Sequence, residues 1–137
     1  MNTHRIRFFL LAAVAAIACS SVSAHDAAEE TVTPLQRQKL PDVPGKQVIL
    51  AVVAYEPGQA SAPHRHAGSV FAYVLEGEGT SQLEGQPPIT YKAGQSWYEP
   101  PRVPHLVSRN ASTTKPAKLL AWLLMDEGGQ VKEPLPK

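Results

Sequence analysis

Cysteine is nearly absent from this chain, and charge of one sign is nowhere concentrated. The 137 residues include one cysteine, Cys19, and a formal net charge of +1. A disulfide framework is therefore excluded, so stability has to come from a hydrophobic core. No basic run is dense enough to neutralise a row of phosphates, which makes nucleic acid a poor candidate partner.

The N-terminal segment has the pattern of a secretory signal peptide. Arg5 and Arg7 precede an apolar run over residues 8–18, and small residues lead up to Ala24. The run is shorter than the roughly 20 residues that a bilayer-spanning helix needs. We therefore expect residues 1–24 to be removed by cleavage after Ala24, leaving a periplasmic or secreted protein with no stable membrane span.

The rest of the chain is predicted to form one all-β domain. Residues 25–46 mix charge and proline, and we expect a flexible lead-in with at most a short helical turn or one edge strand. Short runs of β-branched and aromatic residues then alternate with turn residues. They predict strands at 47–55, 70–77, 79–85, 89–92, 95–99, 105–110 and 117–125. This spacing is typical of a β-sandwich or barrel, here over residues 47–125, followed by a C-terminal tail at 126–137.

Three histidines are candidate metal ligands. His64 and His66 are one residue apart, so they share one face of an extended strand, and His105 begins a later predicted strand. If the intervening strands fold back antiparallel, the three imidazoles could hold one ion at about 2.0–2.2 Å, with an open side for water or substrate. An isolated H-x-H pair easily occurs by coincidence, so the residues around it have to show whether it belongs to a metal site.

Those surroundings resemble the two motifs of the cupin superfamily. The first motif, G-x5-H-x-H-x3-E-x6-G, is matched from Gly58 through His64 and His66 to Gly77, with Val70 in the glutamate position. The second motif, G-x5-P-x-G-x2-H-x3-N, is matched at Gly94, Pro100 and His105, with Arg102 for glycine, Arg109 for asparagine, and Asn110 one residue late. The resemblance implies a single-domain conserved barrel, a jelly-roll double-stranded β-helix, whose metal lies between the sheets.

The departure at Val70 shapes what the resemblance implies about the metal. Valine has no donor atom, so the implied shell is His64, His66 and His105 alone, as in cupin-like dioxygenases that use Fe(II). Nitrogen ligands also suit zinc, manganese, nickel and copper, so iron is favoured but not fixed. Glu99 could replace the missing carboxylate, but we expect it to be an exposed residue of the rim.

Other side chains near the motifs have simpler expected roles. Tyr73 and Trp97 alternate with apolar neighbours and are expected in the core or the pocket wall. Arg65 and Arg102 flank the ligands, and either could pair with a substrate carboxylate, although a solvated or structural role is favoured.

Two functions are compatible with these features. The first is a small metal-dependent dioxygenase or other oxidoreductase that acts on a small molecule. The second is a non-catalytic periplasmic module that binds or senses a small ligand or a metal ion, since one fold hosts many functions. The apolar segment 117–125 also makes a homodimer an expectation, although burial in its own barrel is the simpler role.

Overall fold

The computed structural model describes residues 29–136 of the chain. The predicted signal peptide, residues 1–24, lies outside the described residues. Within 29–136 the chain forms ten β-strands, and no helix there is long and apolar enough to cross a membrane. The strands are β1 (Thr31–Lys39), β2 (Lys46–Tyr55), β3 (His64–Arg65), β4 (Ser69–Glu76), β5 (Glu78–Leu83), β6 (Ile89–Lys92), β7 (Ser96–Glu99), β8 (His105–Asn110), β9 (Ala117–Asp126) and β10 (Glu133–Pro134).

The strands form two antiparallel sheets of five. The first sheet has the order β1-β2-β9-β4-β7, and the second has the order β10-β3-β8-β5-β6. Chain neighbours such as β3 and β4 lie in different sheets, so the chain passes repeatedly from one sheet to the other. This arrangement confirms the predicted all-β jelly-roll fold.

The core lies between the sheets because the inner strands alternate apolar residues toward it. On β4, Val70, Ala72 and Val74 are at most 3% exposed, whereas Phe71 and Tyr73 point outward. The buried side chains form two clusters. Their members are Ile49, Val70, Leu123 and Met125 in one, and Tyr55, Val74 and Leu119 in the other. The expectation that Tyr73 lies in the core is wrong, because it follows the inward Ala72 on a strand of period two.

Both ends of the described chain add strands beyond the predicted barrel. The lead-in forms the edge strand that is one of its two expected structures. Eight of the nine residues of β1 pair with β2, from Thr31 opposite Ala54 to Lys39 opposite Gln47, with a register irregularity at Leu35. All nine are exposed, so they carry no inside–outside alternation. The predicted C-terminal tail returns to the second sheet, where Glu133 of β10 pairs with Arg65 of β3.

Asn110 closes one end of the barrel by satisfying several loop carbonyls. Its residue exposure is only 2%, and its Nδ2 donates to the carbonyl oxygens of Glu56 at 3.1 Å and Lys115 at 2.7 Å. Its Oδ1 accepts a hydrogen bond from the Ser112 amide at 2.8 Å. The asparagine that stands one residue late in the second motif therefore fastens the connections β2–β3 and β8–β9.

We expect Asn110→Ala to lower the free energy of unfolding by about 2–3 kcal/mol, because the loop carbonyls and the Ser112 amide lose a buried hydrogen-bond partner. Urea unfolding followed by circular dichroism measures this. Arg109→Ala, the exposed neighbour on β8, is the control and should change stability by less than about 0.5 kcal/mol. Equal losses in the two variants would show that the Asn110 contacts do not stabilise the fold.

Candidate metal centre

The structure brings the three predicted histidines together. His64 begins β3, His105 begins β8, and the two are direct cross-strand partners. The ring centroid of His64 lies 4.8 Å from that of His66 and 5.2 Å from that of His105. One ligand nitrogen from each ring lies within 4.8 Å of the others. His64 and His105 are also buried, with exposures of 5% and 3%.

Hydrogen bonds to main-chain carbonyls orient two of the rings. His64 Nδ1 lies 2.7 Å from the Ala62 carbonyl oxygen, and His66 Nδ1 lies 2.5 Å from that of Val131. A carbonyl oxygen only accepts hydrogen bonds, so each Nδ1 carries the proton. In the neutral rings each Nε2 then has a lone pair, and these two Nε2 atoms lie 3.1 Å apart. Such facing lone pairs repel unless a proton or a metal ion is shared between them. A carbonyl on the other nitrogen is the usual support of a ligating histidine.

The third ring is supported by a hydroxyl group. His105 Nε2 lies 2.9 Å from Ser81 Oγ, on the neighbouring strand β5. Its Nδ1 is buried and has no hydrogen-bond partner among the described residues. The nearest charged group on this side of the ring, opposite Ser81, is the carboxylate of Glu99, with Oε2 3.2 Å from Nδ1.

The expectation that Glu99 is an exposed rim residue is wrong. Its side chain is 6% exposed, and Oε2 lies 3.2 Å from His105 Nδ1 and 3.6 Å from His66 Nε2. Trp97 Nε1 donates to the other oxygen, Oε1, at 2.8 Å. The sequence does contain a signal for this: Trp97 is expected in the pocket wall, and on a strand of period two residue 99 faces the same way.

Electrostatics keep the imidazole of His64 neutral over the ordinary pH range. Burial lowers the pKa of His64 to about 4, and the charges of His66 and His105 act in the same direction. Burial alone would raise the pKa of Glu99, but the interactions with His105, the charge of His66 and the hydrogen bond from Trp97 together outweigh it, so the pKa lies below its ordinary value. A neutral imidazole and an ionised carboxylate are the forms that bind a metal.

The cluster opens into a cavity of about 350 Å³ between the sheets. Much of the wall is apolar, and these residues include Ile49, Ala51, Val70, Ala72, Leu119 and Leu123. Trp97 also lines the cavity, which agrees with its expected place in the wall. Polar lining residues include Tyr55, whose hydroxyl contacts Ser61 and Ser108 at 2.7 and 2.8 Å. The space is suited to a small molecule with an apolar body.

The two arginines beside the ligands have structural contacts. Arg65 Nε pairs with Glu133 on β10 at 2.9 Å. Arg102 stands where the motif has glycine and adopts that residue's left-handed conformation, with φ 63°. Its amide donates to the His66 carbonyl at 2.8 Å, which ties the loop before β8 to the histidine segment.

The chain belongs to the cupin superfamily. The family model of the cupin domain matches residues 51–123, which is more than half of the chain and includes all three histidines. None of the curated proteins that were compared with the chain matches it.

Solved structures with the same fold are numerous. A protein with a double-stranded β-helix domain from Klebsiella pneumoniae has a TM-score of 0.61 and 17% identity, over 79% of this chain and 86% of that one. A cupin-like protein from Thermotoga maritima has a TM-score of 0.59 and 26% identity, over 77% and 75%. The DMSP lyase DddQ from Ruegeria pomeroyi has a TM-score of 0.64 and 20% identity, over 85% of this chain and 56% of the lyase. This chain therefore matches about half of the lyase.

We expect the metal-free protein to lose stability as the pH falls from 6.5 toward about 4. The unfolded chain takes up a proton at residue 64 near the ordinary histidine pKa of 6.5, whereas the folded chain resists it down to about pH 4. The contribution of His64 is therefore present above pH 6.5 and is lost on acidification, with an upper bound of roughly 3 kcal/mol.

Urea unfolding in the presence of a chelator, at pH values across this window, measures the effect. His64→Gln is the matched variant, since glutamine does not titrate, and its profile should be flatter between about pH 6.5 and 4. A profile as steep as that of the wild type would contradict the assignment to His64.

Proposed function

We propose that this protein binds a divalent transition metal through His64, His66 and His105 and is a metal-dependent enzyme that acts on a small molecule. An Fe(II)-dependent dioxygenase reaction is the favoured activity. The observation that carries the proposal is the pair of Nε2 atoms, on His64 and His66, that lie 3.1 Å apart at the wall of the cavity between the sheets.

The donor set fits a first-row transition metal. Imidazole nitrogen suits iron, zinc, manganese, nickel or copper, whereas calcium and magnesium prefer shells made of oxygen. The carbonyls of Ala62 and Val131 and the hydroxyl of Ser81 would hold the rings in their ligating orientation. Fe(II) is favoured because the three-histidine set resembles that of cupin-like dioxygenases, and the adjoining cavity has room for an oxidisable organic molecule. When bound, the iron would supply activation of dioxygen.

The protein's own contribution is to position the substrate and exclude water. The inward faces of β2, β4 and β9 give an apolar wall next to the histidines, as Ile49, Val70 and Leu123 show. An apolar molecule bound there would displace water from the region around the ion and lie within reach of its open positions. We further propose that the protein acts in the periplasm or outside the cell, which is supported by the signal-peptide pattern of residues 1–24.

We expect each of His64→Ala, His66→Ala and His105→Ala to reduce metal occupancy markedly, because loss of one imidazole leaves too few donors. The full chain is expressed, purified without added metal, and analysed by elemental mass spectrometry. Gln82→Ala is the control, since this half-buried side chain of β5 donates to the Gln86 carbonyl rather than contacting the cluster. Equal occupancy in all the variants would refute the metal site.

With Fe(II) restored, we expect oxygen consumption when a suitable catechol, gentisate-like compound or thiol is added. An oxygen electrode measures this, and His64→Ala, tested at the same iron concentration, should be inactive. DMSP is tested separately, for cleavage rather than for oxygen uptake, because a lyase that is named for it shares this fold. If metal binds and no compound is consumed, the protein is better described as a ligand-binding or metal-binding module.

A further inference from the structure

The residue in the motif's glutamate position has a carboxylate directly opposite it. Val70 and Glu99 are cross-strand partners of the antiparallel pair β4 and β7. Both face inward, and as whole residues they are 3% and 4% exposed. Side chains opposite one another on the same face of a sheet lie about 4.5–5.5 Å apart at Cβ, so both can reach the same region of a cavity.

Two buried polar atoms at this point lack hydrogen-bond partners. Glu99 Oε2 and His105 Nδ1 are buried and lie 3.2 Å apart, within ion-pair distance, but the contact does not have hydrogen-bond geometry and neither atom has a hydrogen-bond partner among the described residues. A buried carboxylate oxygen without a donor costs free energy, and so does an unpaired imidazole nitrogen. A cation between the two would satisfy both atoms at once.

Three of the distances between the inward atoms are close to those around a shared ion, whereas the ligand nitrogens of the three histidines as a set span up to 4.8 Å. Donors that bind one ion at about 2.1 Å lie about 3.0 Å apart in octahedral geometry and about 3.4 Å apart in tetrahedral geometry. His64 Nε2 and His66 Nε2 are 3.1 Å apart, and Glu99 Oε2 is 3.2 Å from His105 Nδ1 and 3.6 Å from His66 Nε2.

The carboxylate is also held in a fixed orientation. Trp97 Nε1 donates to Oε1 at 2.8 Å, which leaves Oε2 directed at the histidines. Trp97 in turn stacks on Tyr91, with ring centroids 4.7 Å apart, so the donor itself is packed in place. A hydrogen bond to the outer oxygen of a carboxylate is a common support of a monodentate ligand.

We propose that Glu99 is a fourth ligand, which binds the metal through Oε2 and supplies from β7 the carboxylate that Val70 on β4 does not provide. This inference rests on the proposed function, since it concerns the same ion. The site would then carry a net charge of +1 with a divalent metal, rather than the +2 of a purely histidine shell. Trp97 would be a positioning residue that keeps the carboxylate in its ligating orientation.

Binding of Co(II) to the full chain tests the proposal. Affinity is measured by competition with a chelating dye, and the visible absorption spectrum of the bound ion reports its ligand set. We expect Glu99→Gln to weaken binding about tenfold or more and to change the spectrum, because a neutral amide is a poorer ligand. Glu99→Asp keeps the negative charge but shortens the reach, so it should also weaken binding.

Two further variants make the test specific. Glu76→Gln removes an exposed carboxylate of β4 that pairs with Lys118, and it should leave affinity and spectrum unchanged. Val70→Glu combined with Glu99→Gln moves the carboxylate across the register pair. Recovery of affinity in this double variant would support ligation, and would show that the loss in Glu99→Gln does not come from damage to the fold.

The possible failures can be told apart. If the wild type binds Co(II) through the histidines, and both Glu99→Asp and Glu99→Gln retain its affinity and spectrum, Glu99 is not a ligand. If Glu99→Gln loses affinity and Glu99→Asp binds like the wild type with an unchanged spectrum, Glu99 is only a counter-charge, and the proposal is overturned. If the wild type does not bind, or His64→Ala binds equally well, the proposed metal site itself fails.

Discussion

The candidate site depends on the pairing of His64 with His105 across β3 and β8. β3 is only two residues long, and this is its single register pair with β8. That pairing brings an imidazole from the first motif against one from the second, and the short continuation to His66 supplies the third ring. The arrangement is fastened from outside by the Arg102 amide, by β10 and by the carbonyls that fix the tautomers of His64 and His66.

The main strands of the fold could be predicted because their sequences either alternate apolar and polar residues or contain long apolar runs. The predicted strands at 47–55, 70–77 and 105–110 agree with β2, β4 and β8 to within a residue. For the lead-in, the sequence allows either a short helical turn or an edge strand and does not distinguish them. All nine residues of β1 are exposed, so they show no alternation of apolar and polar residues, and the strand is held by backbone pairing to β2. β3 and β10 are two residues each, which is too short for any pattern.

The site was predictable to the extent that its residues belong to the motifs. The spacing that resembles the cupin motifs identifies His64, His66 and His105. The first motif places its glutamate at residue 70, which is valine here, whereas the carboxylate that lies beside the histidines is that of Glu99. The reason is that strand register is a property of the folded sheet. No sequence pattern between Val70 and Glu99 predicts that these two residues are cross-strand partners. The expected place of Trp97 in the wall could have indicated that Glu99 points inward.

The segment after β9 determines how far the protein can be truncated without disturbing the candidate site. The Val131 carbonyl fixes the ring of His66, and Lys132 forms an ion pair with Glu30 at 2.6 Å, which joins the beginning and the end of the described chain. The family match ends at residue 123, before both of these contacts. A fragment trimmed to the matched domain would keep all three imidazoles yet release His66 to rotate. The smallest unit that preserves the centre is therefore longer than the unit by which the family is recognised.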